Sequence, residues 1–341
     1  MNKIGKNINI ASEYILDGKL VVFPTETVYG IGADATNKEA VDRIFVAKHR
    51  PADNPLIVHI CDYEMLDKVA KNIGEIEKKL MKTFWPGPIS IILDKTEYIP
   101  FNVSAGLTTV AVRMPENNIA LDFIKLCNTP IAAPSANISS KPSGTCVEDI
   151  YDELYDGVSY FIDGGYTTVG IESTVVRVID GVVNILRPGK ISKEDILQIT
   201  DKVIIDERCL NKVENNEKVL SPGMKHKHYA PNAKCILVYN EDENKIVDVI
   251  NKQISNLQCK VAVLVTDNNI DKIMKLDNIE IINLGKNLDE VSSLLFSALR
   301  KVDKLKVDIC YIQGFRLEGI GTGIMNRLIR ACSYNCLGLD L

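Results

Sequence analysis

Residues 19–30 read KLVVFPTETVYG, an apolar run that ends at a proline and continues into threonine, glutamate and glycine. A short apolar run bounded by a turn-forming residue is typical of a buried strand. The strand therefore ends near Pro24, and Thr25 and Thr27 fall in the turn that follows it. Taken singly, each threonine is as well explained by a turn or a cap.

Further strand candidates follow through the first 195 or so residues and alternate with helical patterns. Residues 37–50 carry apolar side chains at helix spacing, with Thr36 or Asn37 as a cap and Pro51 as the end. The other apolar runs are PLIVHIC (55–61), SIILDK (90–95), TTVAVRMP (108–115), TPIAAPS (129–135), VSYFIDGG (158–165) and TVVRVIDGVVNILRPG (174–189). These strands are too numerous for a simple alternation of strand and helix, so we predict a mixed α/β sheet.

The pattern changes from about residue 199 to 234, where the chain is polar and shows no sustained period. A stretch of this length predicts a linker or a lid. Beyond it, the runs CILVYN (235–240), KVAVLVT (260–266), IEIINLG (279–285) and VDICYIQGF (307–315) alternate with helical patterns at 243–256, 268–276, 287–302 and 322–334. This alternation predicts a parallel, doubly wound sheet. We therefore expect a first domain at 1–198, a linker or lid at 199–234 and a second domain at 235–341.

Composition and charge limit the class of protein. The chain has 341 residues, of which 46% are hydrophobic and 25% charged, as in globular proteins. It carries 40 basic and 45 acidic side chains, and the first 200 residues carry 20 and 26. A polycation that coats nucleic acid is therefore excluded, and an anion site in the first domain has to be a local cluster.

The sequence also carries signals of compartment. The start of the chain shows no secretory signal, and no apolar run approaches the ~20 residues of a membrane span. The nine cysteines are scattered and form no C-x-x-C motif. We therefore expect a cytoplasmic protein with reduced thiols and no membrane partner.

Four basic residues stand at the ends of predicted elements, each close to proline or glycine: Lys48, Arg50, Arg113 and Arg187. Any one of them could be a surface charge or a cation at the end of a helix, and Lys48 fits that explanation well. Together they suit a cavity that receives phosphates and a carboxylate, because arginine offers paired hydrogen bonds to such groups.

Hydroxyl and amide groups accompany these cations. The segment APSANISSKPSG (133–144) offers Ser135, Asn137 and Ser143 to phosphate oxygens or Mg²⁺, and GIESTV (170–175) offers Ser173. A serine alone would be assigned to a turn, so the interpretation depends on the whole set.

Other candidate motifs are weaker. His226 and His228 lack a third ligand for a metal. The glycines of GIGTG (319–323) lack the third position of a dinucleotide site, which favours a turn into the last helix. His59 fits a core histidine or a site residue equally, and Trp85 in FWPGPIS (84–90) fits an aromatic plug beneath a turn.

Five motifs, in this order and at this spacing, resemble the YrdC-like family over roughly residues 5–198: PTETVYGIGADA (24–35), KHR (48–50), FWPGP (84–88), AVRMP (111–115) and SAN (135–137). The segment SPGMKHKHYAP (221–231), followed by a compact α/β domain, resembles the long, two-domain form of that family. The resemblance implies a mixed twisted sheet with a central cavity and a Rossmann-like parallel C-terminal domain.

The resemblance also implies an activity. L-threonine, bicarbonate and ATP would give L-threonylcarbamoyl-AMP and pyrophosphate, which makes the chain a nucleotidyltransferase that uses Mg²⁺. The product would pass to the machinery that transfers the threonylcarbamoyl group to tRNA, where N6-threonylcarbamoyladenosine is formed beside the anticodon. Direct binding of tRNA is possible but not required by this reaction.

The family motifs assign roles to individual residues. Lys48 and Arg50 are implied as catalytic. The residues implied to bind ATP are Lys48, Arg50, Asn54, Thr109, Ser135, Asn137, Ser143, Arg187 and, closing over the nucleotide from the linker, Tyr229. The residues implied to bind L-threonine are Thr27, His59, Arg113 on the carboxylate, the backbone of Ala133, and Ser173. Mg²⁺ would be held mainly by the ATP phosphates, and its ligands in the chain remain open.

Two alternatives compete with this interpretation. The same cations could form a concave patch that binds double-stranded RNA, although the negative first domain and the absence of an RNP-type aromatic stretch oppose it. A carbamoyl-phosphate-type donor could replace bicarbonate, as in hydrogenase maturation proteins with a related domain, but the zinc-finger-like and acylphosphatase parts of those proteins are missing here.

Overall fold

The computed structural model describes residues 3–211 and 229–339. The helices of the first part are α1 (Ile8–Leu16), α2 (Lys38–Lys48), α3 (Tyr63–Val69), α4 (Glu75–Phe84), α5 (Asn118–Cys127), α6 (Tyr151–Leu154) and α7 (Lys193–Leu197). Its strands are β1 (Ile4–Gly5), β2 (Val21–Phe23), β3 (Gly30–Asp34), β4 (Ile57–His59), β5 (Ala70–Lys71), β6 (Ile89–Lys95), β7 (Thr109–Arg113), β8 (Ile131–Ala132), β9 (Tyr160–Ile162), β10 (Thr174–Ile179), β11 (Val182–Arg187) and β12 (Val203–Ile205).

The second part begins after the undescribed segment. Its strands are β13 (Lys234–Val238), β14 (Val261–Val265), β15 (Ile279–Asn283), β16 (Ile309–Gln313) and β17 (Cys336–Leu337). Its helices are α8 (Glu243–Ile254), α9 (Asp267–Ile270), α10 (Leu288–Leu305) and α11 (Ile320–Ala331).

The first part is built on one mixed sheet, which in the described residues has twelve strands. Its order is β1-β9-β2-β3-β8-β4-β7-β6-β10-β11-β12, and β5 pairs with β6. Strands β2 and β3 are antiparallel, whereas β4 and β7 are parallel, as are β6 and β10. The predicted mixed sheet is confirmed. Strands β6 and β7 are antiparallel, so the ends of β4 and β7 lie beside the starts of β6 and β10. The end of β11 lies beside the start of β10 as well, because these two strands are antiparallel.

Helix α2 shows how the sequence positions the site. Its N-cap is Asn37, whose side chain accepts a hydrogen bond from the Ala40 N–H at 3.0 Å, as predicted. The helix ends at His49, which takes a left-handed conformation (φ 51°) and turns the chain toward Pro51. Lys48 is therefore the last helical residue, and it points inward rather than into solvent.

The second part is a separate sheet of parallel pairings in the order β15-β14-β16-β13-β17. Helix α8 packs on one face, and α10 and α11 pack on the other. The predicted parallel α/β domain is confirmed. In this sheet β16 lies between the first two strands, β13 and β14. In the strand order of the dinucleotide-binding fold, the first two strands are neighbours, so the two orders differ.

The glycines of the GIGTG segment begin α11, as expected from the sequence. Gly319 is the N-cap, with a φ of 53°, and Gly323 lies directly against the end of β11. A Cβ atom at Gly323 would stand 2.9 Å from the Gly189 carbonyl oxygen, so only glycine permits this contact between the two parts.

Two predictions of local structure are wrong. The helix predicted at 268–276 is only Asp267–Ile270, because Asn251 of α8 hydrogen-bonds the Lys272 carbonyl and the Met274 N–H and so replaces the helical partners. The segment predicted as an unstructured start of the linker contains β12, which pairs with β11, and a 3₁₀ turn at Glu207–Cys209. Residues 212–228, with His226 and His228, lie outside the described residues, so the predictions on them stay untested.

The two cores meet at the site side of the first sheet. The larger core lies in the first part, and the second core, under α10 and α11, also includes Val28 and Ile171 of the first part. Trp85 is buried and donates from Nε1 to the Ile89 carbonyl at 3.0 Å, as expected of a plug beneath the Pro-Gly turn. All nine cysteines are free thiols. No helix in the described ranges is long and apolar enough to cross a membrane.

Candidate active site

A cavity opens at one edge of the mixed sheet, where residues of the second part cover it. The predicted site residues that line it are Thr27, Arg50, His59, Arg113, Ala133, Ser135, Ser173, Arg187 and Tyr229. The segments that the sequence singled out are thus brought together around one space.

The remaining predicted residues lie behind or away from this lining. Asn137 Oδ1 accepts from Ser135 of the wall, and Ser143 Oγ donates to Glu172 of the wall, both at 2.6 Å. The Asn54 carbonyl accepts from Arg50 Nη2 at 3.3 Å. Thr109 lies at the start of β7, at the opposite end of the strand from Arg113, and its pairing partner is Asp94 of β6. Thr109 is not among the residues that line the cavity, and its predicted role stays a prediction.

Lys48 ties the end of α2 to the segment 133–144. Its Nζ donates to the carbonyls of Ser135 and Asn137, each at 2.5 Å, and lies 3.4 Å from Asn137 Oδ1. The residue is 1% exposed, so a surface cation at the end of a helix is excluded. Burial, and then the charge of Arg50, lowers the pKa of Lys48 well below its ordinary value.

Arg50 projects into the cavity from the loop after α2. Its Nη2 donates to the carbonyls of Asn54 and Pro55, at 3.3 and 3.1 Å. Burial, with the nearby charge of Arg187, lowers the pKa of Arg50 to about 10, so the guanidinium stays charged at neutral pH. Among the described residues Arg50 Nη1 has no hydrogen-bond partner, so this group can bind an anion in the cavity.

Arg113 ends β7 and is fixed by the turn that follows β2. Its Nη1 donates to Thr27 Oγ1 at 2.8 Å, and its Nη2 lies 2.6 Å from Glu26 Oε2. Thr25 donates to the Val28 carbonyl, so in the 2.8 Å contact between the two hydroxyls Thr27 is the donor and Thr25 the acceptor. The residues TET of 25–27 thus form one hydrogen-bonded frame for a buried guanidinium.

Arg187 ends β11 and holds the segment before β10. Its Nε donates to the Ser173 carbonyl and its Nη2 to Ser173 Oγ, both at 3.1 Å. Burial, then repulsion from Arg327, lowers the pKa of Arg187 to about 10, which still leaves it charged. Ser173 Oγ is also 2.8 Å from Ser90 Oγ, so its position is fixed from two sides.

Tyr229 is the first described residue after the undescribed part of the predicted linker. It is buried in the cavity wall with a φ of 63°, and its ring centroid lies 5.1 Å from that of Phe296 in α10. The next residue, Ala230, donates its N–H to the Ser140 carbonyl at 3.0 Å. The end of the predicted linker therefore forms part of the cavity, between the two parts of the chain.

His59 ends β4 as a neutral, buried side chain. Its ring meets Phe23 edge-on with centroids 5.8 Å apart, and its Nδ1 has no hydrogen-bond partner among the described residues. His59 lines the cavity, whereas its Nδ1 atom is itself buried. A core histidine and a site residue are thus compatible interpretations here.

We expect His59 to make stability depend on pH. Burial, and then Arg113, lowers the pKa of His59 from 6.5 to about 3. Below about pH 6.5 His59 is protonated in the unfolded chain but stays neutral in the folded protein. The free energy of unfolding therefore falls as the pH falls, by at most about 1.4 kcal/mol per pH unit. Denaturant unfolding between pH 7 and pH 5 should show a smaller loss for His59→Asn, and an unchanged loss for the exposed His49→Asn. A wild-type pH response in His59→Asn would contradict this assignment.

Three charged residues of the site were missed by the sequence interpretation. Glu26 and Glu172 lie inside the two segments that supplied Thr27 and Ser173, and Arg327 comes from α11. Glu172 lines the cavity, accepts from Ser143 Oγ at 2.6 Å and pairs with Arg327 at 3.0 Å. An acidic residue inside each turn-forming motif was the available signal, but its partner is distant in the sequence.

The arrangement can bind a polyanion and a carboxylate away from bulk water. Three arginines line the cavity with Lys48 behind them, so the predicted local cluster of cations exists in a first domain of negative average charge. Within the described ranges no three His, Cys, Asp or Glu side chains come together as a metal site. The oxygens suited to a phosphate-bound cation are those of Ser135 and Asn137, which are linked to each other at 2.6 Å.

Two family models match the chain in succession. The first bears the names Sua5, YciO and YrdC, is described as telomere recombination, and matches residues 13–189. The second is described as the C-terminal domain of threonylcarbamoyl-AMP synthase and matches residues 191–333.

Curated proteins and a solved structure are similar over nearly the full length. The threonylcarbamoyl-AMP synthase of Pyrococcus abyssi is 42% identical over 97% of this chain and 95% of its own length. That of Bacillus subtilis is 40% identical over 94% of this chain and 91% of its own length. The crystal structure of P. abyssi Sua5 complexed with L-threonine is 41% identical, covers 100% of this chain and 99% of its own, and has a TM-score of 0.90.

Proposed function

The chain belongs to the Sua5/YciO/YrdC family in its long form with the C-terminal synthase domain, and we propose that its cavity forms threonylcarbamoyl-AMP and pyrophosphate from L-threonine, bicarbonate and ATP. The observation that carries this proposal is a cluster of cations at one cavity: Arg50, Arg113 and Arg187 line it, and Lys48 is buried behind them. Such a cluster suits a triphosphate and an amino-acid carboxylate at the same time.

The two substrates are assigned to two sides of the cavity. On the proposed ATP side, Arg50, Arg187 and Ser135 face the triphosphate, with Lys48 and Asn137 directly behind this part of the wall. Asn54, Thr109, Ser143 and Tyr229 complete the proposed ATP side. Arg113 receives the L-threonine carboxylate, and Thr27, His59, Ser173 and the backbone of Ala133 complete the proposed threonine side. The division is supported by two adjacent parallel strands: His59 ends β4, and Arg113 ends β7 directly beside it.

The chemistry requires positioning more than covalent help. The threonine amine combines with bicarbonate, water leaves, and an oxygen of the resulting N-carboxylate attacks the α-phosphorus while pyrophosphate departs. Lys48 and Arg50 neutralise charge on the phosphates as the bond to the leaving group breaks. We propose that Mg²⁺ enters with the ATP phosphates, where it adds further charge neutralisation, and that Ser135 and Asn137 are its nearest oxygens in the chain.

The enclosure has a purpose in this scheme. An N-carboxylate loses carbon dioxide readily in water, so a cavity closed during the reaction protects it.

We assign residues 1–198 to the catalytic domain, 199–234 to the linker and lid, and 235–341 to the C-terminal domain. The product is then handed to the tRNA threonylcarbamoyl-transfer machinery. Binding of double-stranded RNA by the same residues is not favoured, because the cations are buried rather than spread over a surface.

The test of the function is pyrophosphate release by the purified protein with ATP and Mg²⁺. We expect release only when L-threonine and bicarbonate are both present. Pyrophosphate release that does not depend on L-threonine or on bicarbonate would contradict the proposal. So would the absence of release above background. Duplex RNA is the control ligand for the alternative function.

Tyr229 gives a prediction about closure. We expect Tyr229→Ala to raise the KM for ATP and to release pyrophosphate with less threonylcarbamoyl-AMP formed, because removal of the ring opens the wall above the intermediate. Tyr229→Phe keeps the ring against Phe296 and should retain the wild-type ratio of product to pyrophosphate. A wild-type ratio in Tyr229→Ala would show that this wall does not retain the intermediate.

A further inference from the structure

Two buried arginines of the second domain contact the first domain at the cavity wall and directly behind it. Arg300 of α10 donates to the carbonyls of Pro142 at 2.5 Å and Ser143 at 3.4 Å, and pairs with Glu153 at 2.9 Å. Arg327 of α11 contacts a different part of the wall. The docking of the two domains therefore does not depend on Arg327 alone.

Arg327 fastens two separate segments of the first domain with one guanidinium. Its Nε lies 3.0 Å from Glu172 Oε2, its Nη2 donates to the Glu172 carbonyl at 2.9 Å, and its Nη1 donates to the Pro188 carbonyl. These two residues adjoin Ser173 and Arg187 in the sequence. The side chain of Arg327 is 0% exposed, so all of these contacts are shielded from water.

The segments that Arg327 contacts carry Arg187 of the proposed ATP side and Ser173 of the proposed threonine side, and Glu172 also holds Ser143 of the ATP side. Glu172 Oε1 accepts the Ser143 hydroxyl at 2.6 Å, and Arg187 is held against Ser173 by two hydrogen bonds of 3.1 Å. Although burial acts to raise the pKa of Glu172, the charges of Arg327 and Arg187 and the Ser143 hydroxyl hold it below its ordinary value. Glu172 is therefore an ionised link between the second domain and the cavity.

The backbone of α11 is fitted to this contact as well. Gly323 lies against Gly189, and a Cβ there would stand 3.0 Å from the Gly189 Cα. Arg327 follows Gly323 by one helical turn, so it projects from the same face toward the wall. The close approach of the helix and the reach of the arginine therefore belong to one interface.

We propose that Arg327 is a positioning residue through which the C-terminal domain sets the geometry of the ATP side of the cavity. It touches no substrate and acts through Glu172 and Pro188 on Ser143 and Arg187. Its planar fork allows one side chain to hold a carboxylate and two carbonyls in fixed directions, which a lysine cannot do. The inference rests on the proposed function, because it assigns Ser143 and Arg187 to ATP.

The test removes both partners of the buried pair together. Loss of Arg327 alone would leave the Glu172 carboxylate buried without its counter-charge, so the informative variant is Arg327→Met combined with Glu172→Gln. We expect this double variant to melt within a few degrees of the wild type, with a KM for ATP raised about tenfold or more. The KM for L-threonine should rise by a smaller factor, because Ser143 and Arg187 both belong to the ATP side and only Ser173 belongs to the threonine side. Arg327→Lys keeps the charge without the fork and should give an intermediate KM for ATP.

The matched control breaks another contact between the same two domains. Asp289→Asn removes the exposed ion pair of Asp289 with Lys190, which does not reach the cavity, and should leave both KM values unchanged. A folded double variant with the wild-type KM for ATP would overturn the inference, as would an equal rise in Asp289→Asn. Absence of pyrophosphate release by the wild type would instead remove the proposed function, so the two failures are distinguishable.

Discussion

Replacement of Lys48 with alanine should lower kcat about 100-fold or more while the protein still binds L-threonine. Lys48 lies directly behind the wall of the ATP side and holds the Ser135 and Asn137 carbonyls at 2.5 Å. A charged group that positions and stabilises the transition state in this way is worth about 10²–10³ in rate. Steady-state pyrophosphate release gives kcat, and calorimetric titration gives the affinity for L-threonine. The loss should fall on kcat, because Lys48 lies on the ATP side and Arg113 anchors the other substrate.

Lys82 provides the matched control for Lys48. It also lies in the last turn of a helix, α4, but it is exposed to solvent. Lys82→Ala should leave kcat unchanged, since a cation at an exposed helix end contributes at most about 1 kcal/mol to stability and nothing to the cavity. Similar turnover in the two variants would show that Lys48 is a structural cation only.

The comparison of Lys48 with Lys82 also shows what the sequence could predict. Helix α2 and its Asn37 cap follow from apolar spacing and a capping residue, which are local signals. The burial of Lys48 follows from the segment 133–144, which returns to it from 87 residues away. The spacing of residues along one helix contains no information about contacts with a distant segment. A lysine on the surface and a lysine buried against segment 133–144 therefore give the same local pattern.

The charged partners of the site were hidden for the same reason. Glu26 pairs with a residue 87 positions away and Glu172 with one 155 positions away, and the second pair crosses between the domains. The resemblance to the family predicted which segments meet, because members of one family share a tertiary structure. The residues that it did not assign are those whose role is to hold other side chains rather than a substrate.

The sequence mispredicts short elements whose length or pairing is decided by tertiary contacts rather than by local preference. The predicted helix after β14 stops at Ile270 because Asn251, on a neighbouring helix, takes the polar groups that a longer helix would pair. Strand β12 has three residues, too few for an alternating pattern to stand out from a polar segment. By contrast, the 18 residues of α10 gave a clear period, and its predicted range of 287–302 lies within one to three residues of the observed ends.

Arg113→Leu should have two separable consequences, one for stability and one for binding. Arg113 and Glu26 are both buried, with Nη2 and Oε2 at 2.6 Å. Removal of the arginine leaves the carboxylate without its counter-charge, which should lower the free energy of unfolding by about 3–5 kcal/mol. It should also weaken L-threonine binding about 100-fold, because hydrogen bonds to a charged group contribute about 1.5–3 kcal/mol.

The double variant Arg113→Leu/Glu26→Gln separates these two effects. With both charges removed, denaturant unfolding should recover most of the lost stability, since replacing a buried ion pair by neutral groups is often close to neutral. Calorimetric titration should still find the affinity for L-threonine about 100-fold weaker, because the partner of its carboxylate is absent. Recovery of both quantities together would mean that Arg113 only balances the charge of Glu26, and that the carboxylate of L-threonine is held elsewhere in the cavity.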